Sequence, residues 1–441
     1  MAASLAAGTG TAVAWAAVLL GAGFAVKAAS AGFHVWAPDA YSEAPDVFSA
    51  FLSGVVSKMP VFGLVLLGAR LVEGAGPAGE LLASLRATFG GVDPAYVLAW
   101  VGGVTALGMT ILAALQEDAK RLLAYSSVGQ IGYVVVGLAM LTPLGWSAAL
   151  YHTVNHLLIK LLLFLAVAGV IHRTGTRNMH EMGGLIKKMP ASYISVLIGI
   201  IALSGVPPLS GFAGKWLVYS ALIEKGWYFI AGVTMFASPV AFLYLFRLIH
   251  NIFLGQLKPE HREVREAPLA LLIPQGALVL AIMGLSMFPD ALLKAVAGIT
   301  GPVFGATGVS LLADGSLSVS LGYLNAFGVM SMVMALFALF FAFILFVGPK
   351  TKKVKQLDMV YSAELPPGPS EIHYSYDFYR PYKRAFAPLL RVSFVSGWGR
   401  VARAAAAVAD AGRRFYSGDA QVYLVYAVAF LVVVALVRVV F

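Results

Sequence analysis

The sequence contains no cysteine. That excludes a disulfide framework, a Cys-ligated zinc and a Cys-held iron–sulfur cluster, and it argues against redox chemistry by this chain alone. Charge is also scarce: only 12% of the 441 residues are Asp, Glu, Lys or Arg, against 60% hydrophobic. A soluble core does not need that much apolar sequence, so the composition is that of a membrane protein. The first ten residues, MAASLAAGTG, lack a basic stretch, so no cleaved signal peptide is expected. The net charge of +10 does not indicate nucleic acid, because the basic residues fall between apolar runs rather than in a soluble basic domain.

What is present is a series of long apolar runs. Ten are long enough to span a bilayer: residues 11–33, 47–72, 94–115, 121–141, 146–171, 192–223, 229–254, 268–288, 321–348 and 420–440. The expected fold is all-α, a polytopic membrane protein of about ten helices. With alternating connections, one side collects Lys120, Arg121, Arg173, Arg177, Lys187, Lys188, Arg247, Lys258, Arg262, Arg265 and the basic segment from Lys350 to Arg414. The other side holds only Arg70, Arg86, Lys225, Lys294 and Arg438. By the positive-inside rule, both termini are expected on the non-cytoplasmic side.

Four lysines lie within the spans themselves: Lys27, Lys58, Lys160 and Lys215. Lys27 is expected about six residues from the end of its helix, where snorkelling to the interface competes with a functional role. Lys58 and Lys160 sit near mid-span, where a structural pair with a neighbouring helix is the alternative. Lys215 follows SGVPPLSGFAGK, a break rich in Pro and Gly that membrane helices tolerate only where it is buried in protein or lines a cavity.

The stretch YHTVNHLLIKLLLF, from Tyr151 to Phe164, carries His152, His156 and Lys160 four residues apart. Each step advances about 400° and about 6 Å, so the three side chains climb one helix face. A charge there costs about 3 kcal/mol, and such residues commonly mark ion or proton routes. A hydrogen-bonded core pair and a metal or haem site are the other readings. The metal reading lacks further ligands, because the sequence supplies no mid-span carboxylate. Imidazole changes charge near neutral pH and suits a proton relay.

Two loops look structural at first sight. HVWAPDAYSEAPD, from His34 to Asp46, reads as an acidic interfacial connection, and Glu117 and Asp118 fit the positive end of a helix starting near Lys120. Beyond Val347, a basic exit and a Pro/Tyr-rich stretch lead into Tyr382–Tyr416, where Arg alternates with apolar residues. This is expected to be an amphipathic helix of about thirty residues, about 45 Å long, lying along the interface. The run 420–440 anchors its far end.

Four segments resemble the antiporter-like, proton-conducting subunits of respiratory complex I (its L, M and N subunits), Mrp-type sodium/proton antiporters and membrane-bound energy-converting hydrogenases. They are HVWAPDAYSEAPDVFSAFLSGVVSK at His34–Lys58, LQEDAKRLLAYSSVGQIGY at Leu115–Tyr133, HTVNHLLIK at His152–Lys160 and ALSGVPPLSGFAGKW at Ala202–Trp216. The resemblance implies interrupted helices, with proton translocation through Lys27, Lys58, His152, His156, Lys160 and Lys215. It implies no cofactor, metal or catalytic residue in this chain, which would be the ion-pumping subunit of an NADH:quinone oxidoreductase-like or hydrogenase-like complex. A sodium/proton antiporter without a redox partner is the alternative.

The resemblance also divides the chain. Residues 1–93 correspond to the last two helices of the first repeat, 94–254 to a complete five-helix repeat and 255–348 to additional transmembrane helices. Residues 349–419 correspond to a linker and lateral helix, and 420–441 to an anchoring helix. Implied partners are the lipid bilayer, other membrane subunits, a redox module and a chain supplying the first half of the fold, including the glutamate that pairs with Lys27; the alternative is that the first half-channel is absent and Lys27 serves a different purpose. The implied location is the cell inner membrane.

Overall fold

The computed structural model describes residues 10–72, 91–255, 257–347, 380–385, 387, 394–415, 421, 424–425 and 427–430. These divide into two units, Met1–Pro381 and Tyr382–Phe441. The first unit is a helical membrane bundle. Among the described residues, seven helical stretches are long and apolar enough to cross a bilayer.

The first expected span is cut short. Helix α1 (Gly10–Lys27) ends at Lys27, the chain turns through residues 28–35, and α2 (Trp36–Glu43) follows. Lys27 is therefore the last residue of its helix rather than six residues from the end. The supposed connection His34–Asp46 is mostly α2, which buries Ala37, Pro38, Tyr41 and Ser42. Next come α3 (Asp46–Gly54), a 3-10 turn (Val56–Lys58) and α4 (Met59–Val72), which together make one spanning stretch.

Helices α5 (Pro94–Ala114), α6 (Ala119–Ala139) and α7 (Pro143–Thr174) form the centre. Local chemistry sets their ends. Asp93, Asp118 and Thr142 cap α5, α6 and α7 by accepting bonds from backbone N–H groups, and Gly175 closes α7 in the left-handed conformation that glycine adopts cheaply. Glu117 and Asp118 were expected at the start of α6, and Asp118 is its cap, accepting from Lys120 N and Arg121 N at 2.8 and 3.0 Å. Helices α5 and α6 touch through Gly102 and Gly132. A Cβ on Gly132 would lie 2.5 Å from the Ala106 amide nitrogen.

Helix α7, 32 residues and about 48 Å long, packs against α3 and α6. It also meets α8 (Pro190–Ser204) and α9 (Ser210–Glu224), the two halves of the span expected at 192–223. The chain continues with α10 (Tyr228–Phe253), α11 (Leu269–Met287), the amphipathic α12 (Pro289–Phe304) and α13 (Ala326–Phe346).

Between α12 and α13 runs a small antiparallel meander, β1 (Ser310–Leu311), β2 (Leu317–Val319) and β3 (Gly322–Leu324), in the order β1-β2-β3. From the sequence, 255–348 is expected to hold membrane spans at 268–288 and 321–348, with 289–320 as their connection. Helix α12 and the meander are what that expectation missed, and the last span of that region starts at Ala326 rather than residue 321. In the second unit, a short helix, α14 (Arg380–Ala385), begins in the preceding segment, and α15 (Phe394–Phe415) is an amphipathic helix of 22 residues. Of the helix expected over Tyr382–Tyr416, the described parts 382–385 and Phe394–Phe415 are helical, while 388–393 and most of the anchoring span 420–440 lie outside the described residues.

Candidate functional site

The site is built on α7. Lys160 lies about 26 Å from the start of this helix and about 21 Å from its end, well inside the bilayer. Its side chain is fully buried. Among the described residues no carboxylate stands in ion-pair range of Lys58, Lys160 or Lys215, and hydroxyls and backbone carbonyls hold these ammonium groups instead. Lys160 Nζ donates to Ser126 Oγ and, at 3.1 Å, to the Leu123 carbonyl, both on α6.

Lys58, buried beside α3, donates to the Ser53 carbonyl and, at 2.9 Å, to Ser57 Oγ. Ser53 Oγ lies 2.7 Å from Ser127 Oγ, which donates at 2.8 Å to the Leu123 carbonyl that also receives Lys160. The two lysines therefore belong to one hydrogen-bonded network.

Toward the start of α7 the polar line continues. The rings of His152 and His156 lie parallel within 9°, with centroids 6.3 Å apart. His152 Nε2 meets Gln130 Oε1 at 3.1 Å, and Tyr133 stacks obliquely on the same imidazole at 5.6 Å. His156 is fully buried, and among the described residues neither of its ring nitrogens meets a hydrogen-bond partner. A buried imidazole left bare costs free energy, so the site favours bridging water between His152, His156 and Lys160.

Lys215 is held by the broken helix. Gly205 ends α8 at φ +76°, leaving the last carbonyls of that helix without intrahelical partners and at the negative end of its dipole. Lys215 reaches back from the second turn of α9 and donates to Leu203 O at 3.1 Å, Ser204 O at 2.8 Å and Ser238 Oγ at 3.0 Å. Its ammonium also lies 5.2 Å above the Tyr133 ring. Tyr133 and Tyr219 meet Ser238 Oγ at 3.3 and 2.8 Å. Tyr133 thus links Lys215 to His152.

The structure brings together five of the six residues singled out in the sequence. The sixth, Lys27, is exposed at the end of α1. Sequence reading overlooked Ser126, Ser127, Gln130 and Tyr133, although Ser126, Gln130 and Tyr133 recur at i, i+4 and i+7 on an otherwise apolar helix, the pattern of one polar face. At the basic end, Arg177 pairs with Glu43 at 2.9 Å and Asp118 at 2.7 Å, and Lys120 pairs with Asp46 at 2.8 Å. The Glu43 hydrogen bond raises the pKa of Arg177 above its ordinary value, and the cluster ties α2 and α3 to the start of α6 and to the loop after α7.

Residues 4–240 match the family model described as NADH:quinone oxidoreductase/Mrp antiporter, TM. The chain belongs to this family. Within the NADH:quinone oxidoreductase/Mrp antiporter family it is similar to NADH-quinone oxidoreductase subunit N of Desulforudis audaxviator (strain MP104C), 33% identical over 292 residues, which cover 63% of this chain and 56% of that protein. It is also similar to hydrogenase-4 component B of Escherichia coli (strain K12), 31% identical over 319 residues, covering 66% of this chain and 45% of that protein. Among solved structures it resembles a chain of the membrane-bound sulfane sulfur reductase, an archaeal respiratory membrane complex. There the TM-score is 0.80 at 34% identity, covering 95% of this chain and 68% of that one. The chain spans about half the length of the two sequence relatives. A multi-pass membrane subunit of this family is what sequence and fold both describe.

Proposed function

We propose that this protein is a proton-translocating membrane subunit of a multisubunit redox-driven complex, complex I-like or hydrogenase-like, and that it moves protons through a buried Lys/His relay. The observation that carries the reading is the joined network itself: Lys58 and Lys160 share the Leu123–Ser127–Ser53 bonds, and Tyr133 bridges His152 to Lys215. Such groups take up and release protons when a neighbouring charge moves, because each charged form is held by polar groups that can rearrange inside a low-dielectric interior.

In this reading His152 and His156 pass protons between Lys160 and Lys215, and Lys58 sets the charge felt by Lys160. Lys27 faces outward to meet the carboxylate of a neighbouring chain that supplies the first half of the family fold. The names of the relatives, a quinone oxidoreductase, a hydrogenase and a sulfane sulfur reductase complex, support a redox module among the partners. In this reading the complex lies in the cell inner membrane, and the distribution of basic loops supports both termini lying away from the cytoplasm.

A sodium/proton antiporter without a redox partner is the weaker reading. Sodium favours oxygen ligands of the carboxylate and carbonyl kind, and the mid-span ionisable groups here are lysines and histidines. The test is Lys160→Ala and Lys215→Ala in the whole complex, in sealed membrane vesicles supplied with electron donor. Proton uptake collapses while the complex still assembles and electron transfer persists. Undiminished proton uptake would overturn the reading, and sodium-dependent uptake with no redox requirement would select the antiporter.

A further inference from the structure

The seam between α7 and α9 carries further buried polar groups beside the Lys/His relay. Tyr151 and Asn155 are one turn apart on α7, beside His152 and His156, and both are buried. His152 Nδ1 and Ser210 Oγ are shielded from solvent and have no hydrogen-bond partner among the described residues, and the buried Tyr151 hydroxyl has only the Asn155 side chain beside it. Such incompletely bonded groups along one seam are costly unless small polar molecules bridge them.

Helix α9 comes close enough to make the seam continuous. A Cβ on Gly214 would lie 3.3 Å from both His152 Nδ1 and the Tyr151 ring. Asn155 Nδ2 donates to the Ser210 carbonyl at 3.4 Å, and the Ser210 amide donates to Ser286 Oγ at 2.8 Å. Ser210 and Ser286 then line a small cavity of about 10 Å³, closed by Pro208, Phe212, Leu324 and Val329. That is about the room one water needs. Ser286 belongs to the last turn of α11, a helix that starts beside the basic segment 257–268 and ends at Met287. The polar line therefore finishes at the end of the bundle opposite the basic loops.

We propose that this seam, from His156 along Tyr151, Asn155 and Ser210 to Ser286, is a water-bridged proton outlet toward the side opposite the basic loops, separate from the Lys215–Ser238 site. Hydroxyls can accept and donate in the same chain, so Tyr151, Ser210 and Ser286 pass protons between waters, and Asn155 orients those waters without itself changing charge. The outlet rests on the proton-translocating reading given above.

The test uses the assembled complex in sealed vesicles. Ser210→Val and Ser286→Val, which remove the hydroxyl and fill the cavity, lower redox-driven proton transport about tenfold, whereas Ser286→Thr keeps most of it. If Lys160→Ala abolishes transport but both valine variants run at the parent rate, the outlet is wrong and the function stands. If Lys160→Ala leaves transport intact, the function itself falls.

Should the valine variants fail to assemble, the absence of cysteine offers a second measurement. In Ser210→Cys and Ser286→Cys the new thiol is the only one in the chain, and silver ion added from the side opposite the basic loops blocks transport while sparing the parent. Silver without effect on either variant would overturn the outlet.

Discussion

Ser53 Oγ on α3 and Ser127 Oγ on α6 lie 2.7 Å apart, and that contact joins the cradle of Lys58 to the cradle of Lys160. Two ammonium groups inside one bundle repel each other, and the polar groups between them set how strongly. Ser127 gives its one hydroxyl proton to the Leu123 carbonyl, so Ser53 donates to Ser127; turning the Ser127 hydroxyl toward Ser53 would free that carbonyl for Lys160, and the pair can thus report the charge of one lysine to the other.

Replacing Ser127 by Ala removes the link and leaves Ser53 Oγ buried without its partner, at a cost of about 1–3 kcal/mol in stability. Proton transport falls several-fold with the complex still assembled. Because both serines serve one contact, the Ser53→Ala/Ser127→Ala double variant is no slower than the slower single variant, and transport assays on the four proteins check this. Additive losses would mean that the serines act independently.

At the basic end, His180 is buried with Arg247 Nη2 at 3.5 Å and Glu117 at 3.8 Å. Burial lowers its pKa from the ordinary 6.5, and Arg247 and Lys258 add to that while Glu117 opposes it. The folded state therefore binds its proton less readily than the unfolded segment does. Stability contributed here is intact above about pH 6.5 and is lost as pH falls from there toward the lowered folded value. Hydrogen exchange across residues 176–188 speeds up over that window, and His180→Gln flattens the dependence. An unchanged profile in the variant would assign the pH response to another group.

How much of this was legible beforehand depended on the residue type. Lys58, Lys160, His152 and His156 stood out because ionisable groups are rare in apolar runs. Their cradles did not, because serines and backbone carbonyls inside a span are cheap and common, and only tertiary packing shows which lysine they face. Lys120 and Arg247 were counted with the loops, yet both are buried. Lys120 donates to Ala44 O and Asp46, and Arg247 donates to the Ala114 and Gln116 carbonyls. Charge tallies along a chain cannot distinguish a topology signal from a cation that staples two loops. The break after Lys27 was missed because its sequence, AASAGF, is as apolar as the helix before it.

The broken helix makes a sharper test. Gly205 has φ +76°, and a Cβ there would stand 2.5 Å from Lys215 Cδ. Gly205→Ala costs about 1–2 kcal/mol for the left-handed backbone alone, and the clash pushes the ammonium off the Leu203 and Ser204 carbonyls. Transport is lost. Adding Lys215→Ala removes the clash, so the amount of assembled complex recovers although transport does not, as blue-native gels and vesicle assays would show. No recovery of assembly in the double variant would mean that backbone strain, not the lysine, dominates.

The tail separates two roles for α15. Phe394, Trp398, Val401, Ala405 and Val408 recur at helical spacing on one face, while Arg400, Arg403, Asp410 and Arg413 occupy the other. If this helix braces neighbouring subunits, deleting residues 384–441 releases those subunits during detergent purification but leaves proton conduction by the remaining bundle measurable. If it only rests on anionic lipid, the complex stays whole. Arg400→Gln with Arg403→Gln would then weaken vesicle binding by about 1 kcal/mol per charge, an effect that salt reproduces in the parent. Subunit loss on deletion together with normal lipid binding in the arginine variants would assign α15 to the brace, because only a protein neighbour uses the apolar stripe without needing the charges opposite it.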